Sequence, residues 1–291
     1  MEKRYKILTI GDIHGRSAWK ELIFGGETEF FFWKQAVENN YLEYEDKFSF
    51  HEYDKIIFVG DYVDSFDISS ADILENLKEI VLFAKTYPDL VVLLLGNHDI
   101  QYIVPNEICS GYRGEMYHDL HQIFTENEDL FRIAFLDEFE HEYKGQPITN
   151  RTLWTHAGVT HGWFKELKMD IKNPKYRHRE FFEGSENWKI DELLNTAWKL
   201  RVDNLYNVDA ASGGFSVWAG PLWVRPHVLN DFYLEGYDHV VGHTPQSAVY
   251  QFCPLIGVES NPEKLNTLTY VDALMHKDVY KLTRLKDEDE N

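Results

Sequence analysis

Three early apolar segments of this chain each end on a glycine that polar side chains follow at once. The segments cover residues 5–10, 55–59 and 90–95, and they are rich in isoleucine, valine, leucine and aromatic residues. Runs of this length and composition predict buried β-strands, and the closing glycine allows the backbone to turn sharply. Three polar turns follow the strands: Gly11-Asp12-Ile13-His14-Gly15, Gly60-Asp61-Tyr62-Val63-Asp64 and Gly96-Asn97-His98-Asp99.

The segment between the second and third strands predicts a helix. Apolar residues recur at steps of three and four from Ile73 to Ala84, and Ser69 or Ser70 is suited to cap its start. A strand, a helix and a strand over this length favour a parallel α/β unit. Ligands of such sheets bind beyond the carboxyl ends of the strands. We therefore expect the three polar turns to converge on one crevice.

Two histidine turns later in the chain follow the same rule. Residues 151–155 and 238–241 are predicted strands, and they lead into His156 and His243. Taken singly, such a histidine is more often a hydrogen-bonded core or turn residue, and an aspartate after a strand is as readily a helix cap. Residues 268–271 and 279–282 are further predicted strands, which could form a closing pair. His161 and His239 lie near these turns without a role that the sequence decides.

The ordered blocks GDIHG, GDYVD, GNHD, HAG and GHTP resemble the calcineurin-like metallophosphoesterases. The resemblance is greatest to the branch that contains Ser/Thr protein phosphatases and diadenosine tetraphosphatases. The blocks run from residue 11 to residue 245. The resemblance implies an α/β fold, a four-layer α/β/β/α sandwich with two central mixed sheets. We expect one domain over residues 1–291, with insertions at about 20–52 and 162–216.

The resemblance also implies two divalent metal ions. Manganese is favoured, with iron or zinc as alternatives, since oxygen and imidazole ligands without thiolate suit these ions. Such a pair can clamp a phosphate and activate water. The first ion would be held by Asp12, His14 and Asp61, and the second by Asp61, Asn97, His156 and His243. Asp61 would bridge the two ions, and Asn97 is also expected to contact the substrate.

Two further roles follow from matching positions. His98 would protonate the leaving group, and Asp64 would pair with it; the alternative is a purely structural pair. Protein phosphatases carry Arg-Gly after the second block, whereas this chain has Ser65 and Phe66. The block GPLWVR, residues 220–225, resembles one in Shewanella-like bacterial-type phosphatases. Its Arg225 is therefore expected to grip the phosphate, and a surface salt bridge is the alternative.

Charge and composition narrow the classes of function. With 29 basic and 49 acidic residues the chain has a formal net charge of −20, which disfavours nucleic acid as a partner. Bound metal ions would supply the positive charge that an anionic substrate needs. No segment approaches about 18 uncharged apolar residues, so a membrane-spanning helix is not expected. The two cysteines favour a reducing, cytoplasmic setting.

These patterns predict a phosphatase, with a phosphorylated substrate as its partner. The leading substrate class is phosphoprotein Ser/Thr, within the phosphomonoesters. The alternative is a nucleotide or dinucleoside polyphosphate, as the diadenosine tetraphosphatase branch suggests. A binding module on the same fold is a further alternative, but it would be expected to have lost a metal ligand. The sequence retains every predicted ligand.

Overall fold

The fold is taken from a computed structural model that describes most of the chain. The described residues are 4–39, 48–104, 108–143, 146–173, 175–206, 213–253, 267–272 and 279–285. Residues 40–47 and 207–212, which belong to the two predicted insertions, lie outside this set.

The first sheet has the strand order β10-β1-β2-β3-β4. Strands β1 to β4 are parallel to one another, and β10 is antiparallel to β1. The strands are β1 (Arg4–Ile10), β2 (Lys55–Phe58), β3 (Val91–Leu94), β4 (Phe131–Arg132) and β10 (Tyr280–Leu285). The three strands predicted first in the sequence therefore lie side by side and in parallel.

The second sheet has the strand order β5-β6-β7-β9-β8. Its central strands β6, β7 and β9 are parallel, and the edge strands β5 and β8 are antiparallel to their neighbours. The strands are β5 (Ala134–Tyr143), β6 (Gln146–Thr155), β7 (Asp238–Val241), β8 (Tyr250–Phe252) and β9 (Leu268–Tyr270). Both sheets are thus mixed, as the sequence predicts.

Helices cover the outer faces of the two sheets. The predicted helix is confirmed as α3, and Ser69 caps it by accepting a hydrogen bond from Asp72 N at 3.2 Å. The helices are α1 (Ala18–Phe24), α2 (Glu27–Glu38), α3 (Ser70–Thr86), α4 (Asn97–Ile100), α5 (Tyr117–Glu126), α6 (His161–Lys172), α7 (Ile190–Lys199) and α8 (Pro226–Phe232). Among these helices, none has the length and apolar character needed to cross a bilayer.

The central strands of the first sheet, β1, β2 and β3, are buried on both faces. Leu8 and Ile56 point toward the outer helices, whereas Ile7 and Ile57 point toward the second sheet. This alternation explains why each strand reads as an unbroken apolar run. Trp154 of β6 fills the space between the sheets. The predicted four-layer sandwich is confirmed.

One predicted strand pairing is wrong. The segments 268–271 and 279–282 do not form a pair, because β9 lies in the second sheet and β10 is the edge of the first. Short apolar strands carry little local information about which neighbour they will join, so their pairing depends on the whole fold. The predicted strand 151–155 is the inner half of the longer β6, which pairs with β5 along its full length.

Trp154 offers a direct test of the packing between the sheets. It is fully buried, and its Nε1 donates to Thr9 Oγ1 at 3.0 Å. We expect Trp154→Ala to lower the free energy of unfolding by about 3–5 kcal/mol, because it leaves a large cavity. Phe32→Ala removes an aromatic ring that is 62% exposed, and it should change that free energy by no more than about 0.5 kcal/mol. Urea denaturation measures the free energy of unfolding of both variants. An equal decrease in the two would contradict the packing of Trp154 between the sheets.

Candidate metal centre and catalytic cleft

The polar turns converge at the carboxyl ends of the parallel strands. Asp12 and His14 follow β1, Asp61 follows β2, and Asn97 begins α4 after β3. His156 and His243 reach the same place from β6 and β7 of the second sheet. Two groups have ligand atoms within 4.8 Å of one another and could each hold a metal ion: Asp12, His14 and Asp61, and Asp61, His156 and His243. Asp61 belongs to both groups.

Several residues of this site have a left-handed backbone conformation. The φ angles are 45° at His14, 51° at Asp61, 64° at Asp64 and 65° at His243. Side chains other than glycine rarely adopt this conformation, and it persists only where the surrounding structure holds it in place. The tight turns therefore aim these side chains inward at a cost in backbone strain, which is common at functional sites.

Glycine at positions 60 and 96 lets two turns touch. A Cβ atom at Gly60, where φ is 106°, would collide with the backbone of Gly96. A Cβ atom at Gly96 would collide with the Asp61 side chain. The turn after β2 can therefore lie directly against the turn after β3 only because neither glycine has a side chain. This contact brings Asp61 next to Asn97.

Asn97 and the two later histidines form one buried cluster. Asn97 Oδ1 lies 3.0 Å from His156 Nε2 and 2.9 Å from His243 Nδ1. His156 Nδ1 lies 2.8 Å from the Val59 carbonyl, which fixes the orientation of its ring. His243 Nε2 is buried and has no hydrogen-bond partner among the described residues. The atoms that converge, Asn97 Oδ1, His156 Nε2 and His243 Nδ1, are an oxygen and two imidazole nitrogens, a donor set that a divalent metal ion can bind.

The charges of the cluster favour a cation. Burial raises the pKa of Asp12, and the neighbouring charge of Asp272 raises it further. Burial lowers the pKa of His156, but the charges of Asp61 and Asp12 outweigh this effect and raise it to about 9. Two buried carboxylates thus stabilise positive charge at the point where His156 Nε2 approaches Asp61 Oδ2 at 3.4 Å. Carboxylate, amide and imidazole donors together suit a divalent transition metal, so the residues present fit the implied ions.

Asp99 organises the site without facing the cleft. It is fully buried, and its Oδ2 accepts from Asp61 N at 2.9 Å and from Gly96 N at 2.8 Å. Its Oδ1 accepts from Tyr62 N at 2.9 Å. One carboxylate therefore joins the turn after β2 to the turn after β3. This role of Asp99 was not predicted from the sequence, although its place after His98 in the GNHD block could have suggested one.

His98 and Asp64 lie together, as the sequence predicts for a pair. His98 Nδ1 is 3.2 Å from Asp64 Oδ2, and the Asp64 side chain is fully buried. Asp64 also accepts from Tyr102 Oη at 2.5 Å and from Gln101 Nε2. Burial lowers the pKa of His98, but the charge of Asp61 and the hydrogen bond to Asp64 outweigh it and raise the pKa to about 12. Both interactions favour the protonated form of the imidazole.

Arg225 lines the same cleft as four of the candidate ligands, and the loop residues Ser65 and Phe66 also line it. Its Nη1 lies 3.4 Å from Thr244 Oγ1, and its Nε lies 3.4 Å from the Gly213 carbonyl. Burial lowers the pKa of Arg225, while the charge of Asp61 opposes this effect. Within the part of the chain that the structure describes, no carboxylate forms an ion pair with the Arg225 guanidinium, so its charge is left for a ligand in the cleft.

Other residues near the turns divide into two kinds. His239 is buried in β7 with its Nε2 3.0 Å from the Leu234 carbonyl, and His161 Nδ1 lies 3.1 Å from the Phe232 carbonyl. Both contacts are structural. Asp272, in contrast, lines the cleft, and burial together with the charge of Asp61 raises its pKa to about 6. It follows β9, so the rule of a polar residue after a strand could have identified it.

Asp99→Asn tests the junction between the two turns. An amide offers only one acceptor oxygen, so at least one buried backbone N–H would lose its partner. We expect the free energy of unfolding to fall by about 1–3 kcal/mol in metal-free buffer. Asp129→Asn, at a side chain 95% exposed, is the matched control and should change it by no more than about 0.5 kcal/mol. Urea denaturation of both variants measures these free energies of unfolding. An Asp99→Asn protein as stable as the wild type would contradict the role of Asp99 in joining the two turns.

Comparison with models of known protein families gives a match that covers most of the chain. The family model for calcineurin-like phosphoesterase matches residues 5–247. No curated protein sequence matches this chain.

The solved structures that are similar to this chain include two phosphatases of low sequence identity. A cold-active protein-tyrosine phosphatase of a psychrophile, Shewanella sp., has 14% identity over 96% of this chain and 75% of that chain, with a TM-score of 0.42. A protein serine/threonine phosphatase from Saccharomyces cerevisiae, with similarity to human phosphatase PP5, has 13% identity over 91% and 79%, with a TM-score of 0.37. Both likenesses are too distant to indicate a substrate.

Proposed function

This chain belongs to the calcineurin-like phosphoesterase family and is a phosphoester hydrolase, and from that premise we propose that it hydrolyses phosphomonoesters at a dinuclear metal centre. The observation that carries the proposal is the position of Asp61, which belongs to both groups of potential ligands. A carboxylate has two oxygen atoms, so one side chain can serve two ions at once.

The proposed ligands divide between the two ions. Manganese is our first choice, with iron or zinc as alternatives. When bound, the ions would supply the positive charge and the activated water that attack on phosphorus requires. Asp12, His14 and Asp61 would hold the first ion, and Asp61, Asn97, His156 and His243 the second.

The chain's own residues supply positioning and proton transfer. His98 is held by Asp64 at the edge of the cleft and has a raised pKa, and we assign it the transfer of a proton to the leaving oxygen. Arg225 can bind two phosphate oxygens through its forked donors. The Asn97 side chain, at the meeting point of the two histidines, would orient the phosphate as well as bind metal.

The leading substrate class is phosphoprotein Ser/Thr. A second class, nucleotides or dinucleoside polyphosphates, is favoured by one observation: the aromatic rings of Phe66 and Trp223 both line the cleft, and Phe66 is 86% exposed. Exposed rings of this kind suit stacking on a nucleobase. The rates of hydrolysis of phosphopeptides and of diadenosine tetraphosphate distinguish the two classes.

We further propose that residues 1–291 form one domain and that the protein acts in the cytoplasm, consistent with free thiols at Cys109 and Cys253.

Asp61→Asn tests the dinuclear centre. The change removes the shared charge, so we expect loss of both ions and of p-nitrophenyl phosphate hydrolysis by protein reloaded with Mn²⁺. Metal content by mass spectrometry after gel filtration is the primary readout, and the rate is the second. The control variant Asp129→Asn should retain both the metal content and the rate of the wild-type protein. A variant at Asp61 that keeps two tightly bound ions would show that this carboxylate does not bridge them.

His98→Ala tests the proton transfer. We expect the rate on an alkyl phosphate, such as a phosphoserine peptide, to fall by about 10²–10⁴-fold. The rate on p-nitrophenyl phosphate should fall much less, because p-nitrophenolate leaves without a proton. His118→Ala, at an exposed histidine of α5, is the control and should leave both rates unchanged. Equal losses on the two substrates, with metal retained, would argue against proton donation by His98.

A further inference from the structure

Fixed positive charge is scarce in the catalytic cleft. The described residues that line it include four aspartates but only two arginines, Arg16 and Arg225. A phosphate anion that enters the cleft therefore meets carboxylates on several sides, relieved by bound metal and by these two guanidinium groups. Arg225 already has a proposed role. Arg16 has none.

The backbone of Arg16 is anchored, so its side chain extends from a fixed point. Its amide N donates to the Ile13 carbonyl at 3.0 Å, and its own carbonyl accepts from Asn76 Nδ2 at 3.3 Å. Asn76 is held in turn by Trp19, whose Nε1 donates to Asn76 Oδ1 at 2.8 Å. The guanidinium reaches the wall of the cleft, where Nη1 lies 3.4 Å from the carbonyl of the candidate ligand His14.

The charged partner of this guanidinium is an exposed carboxylate. Arg16 Nη2 donates to Asp67 Oδ1 at 3.0 Å, and the Asp67 side chain is 65% exposed. Ser65 Oγ donates to the same oxygen at 2.5 Å. Water screens an exposed ion pair, so the pair is weak and a doubly charged anion can replace the carboxylate.

We propose that Arg16 is a second phosphate-binding residue and that Asp67 is an internal competitor, which holds the guanidinium at the cleft until phosphate displaces it. The proposal rests on the phosphoester hydrolysis assigned above to this cleft. The forked donors of Arg16 would bind phosphate oxygens on the side formed by the turn after β1, while Arg225 approaches from the turn before α8.

The test is the inhibition constant of inorganic phosphate for the Mn²⁺-loaded protein hydrolysing p-nitrophenyl phosphate. Arg16→Ala should raise this constant and the KM by about tenfold or more, because a charge-assisted contact is lost. Asp67→Asn should lower both by about two- to fivefold, since the competitor for Arg16 is removed. If the ion pair between Arg16 and Asp67 were merely structural, both variants would weaken phosphate binding. Asp67→Asn would then raise the inhibition constant and the KM instead of lowering them.

Two charge controls separate a local contact from a general change in potential. Asp72→Asn removes an exposed carboxylate from the start of α3, and Arg151→Ala removes an exposed cation from β6. Each should change phosphate inhibition by less than about twofold, since water and salt screen such exposed charges. A decrease for Asp72→Asn as large as that for Asp67→Asn would overturn the inference, and so would an unchanged constant in Arg16→Ala.

The remaining outcomes are also decisive. If Arg16→Ala does not fold or bind metal, the direction of the change in Asp67→Asn decides alone, because Asp67 is exposed and holds no metal. If the wild-type protein shows no metal-dependent hydrolysis, the proposed function fails. Calorimetric titration of phosphate into the Mn²⁺-loaded variants then tests Arg16 and Asp67 without any need for turnover.

Discussion

A single buried carboxylate, that of Asp99, holds together the two turns from which much of the candidate centre is built. It accepts hydrogen bonds from the backbone of Asp61, Tyr62 and Gly96, so the turns after β2 and β3 keep one fixed spacing. The close contact at Gly60 and the left-handed backbone of Asp61 are possible only with that spacing. The strain in the Asp61 turn is thus balanced by contacts that lie beneath the cleft, out of reach of the substrate.

Electrostatics explains how so acidic a protein can act on anions. The chain carries a formal charge of −20, and buried carboxylates lie around the centre itself. Such a cluster attracts cations, and the raised pKa of His156 shows that it stabilises positive charge even through a histidine ring. If the proposed metal ions neutralise the carboxylates, the arginines would dominate the local field. The same negative charge would therefore recruit the ions that the proposed reaction on a phosphate requires.

The sequence predicted those parts of the fold that depend on local pattern. Strands β1 to β3 and helix α3 follow from apolar runs and from helical spacing, and the glycine turns marked where the polar residues would meet. The partners of β9 and β10 could not be predicted, because strand pairing depends on the whole chain. The contacts that Gln101 and Tyr102 make with Asp64 could not be predicted either. They depend on the short helix α4 and the turn after it, which bring these side chains to a carboxylate more than thirty positions earlier in the chain.

The origin of the candidate ligands in two different sheets has a thermodynamic consequence. Asp12, His14, Asp61 and Asn97 extend from the first sheet, whereas His156 and His243 extend from the second. An ion bound by Asp61 and these histidines is a cross-link between the two halves of the sandwich. Because an unfolded chain cannot reproduce that cross-link, the midpoint of unfolding must rise with the concentration of free metal. With metal bound as proposed, folding and metal supply would be linked equilibria, and a chelator would act on the whole architecture as well as on catalysis.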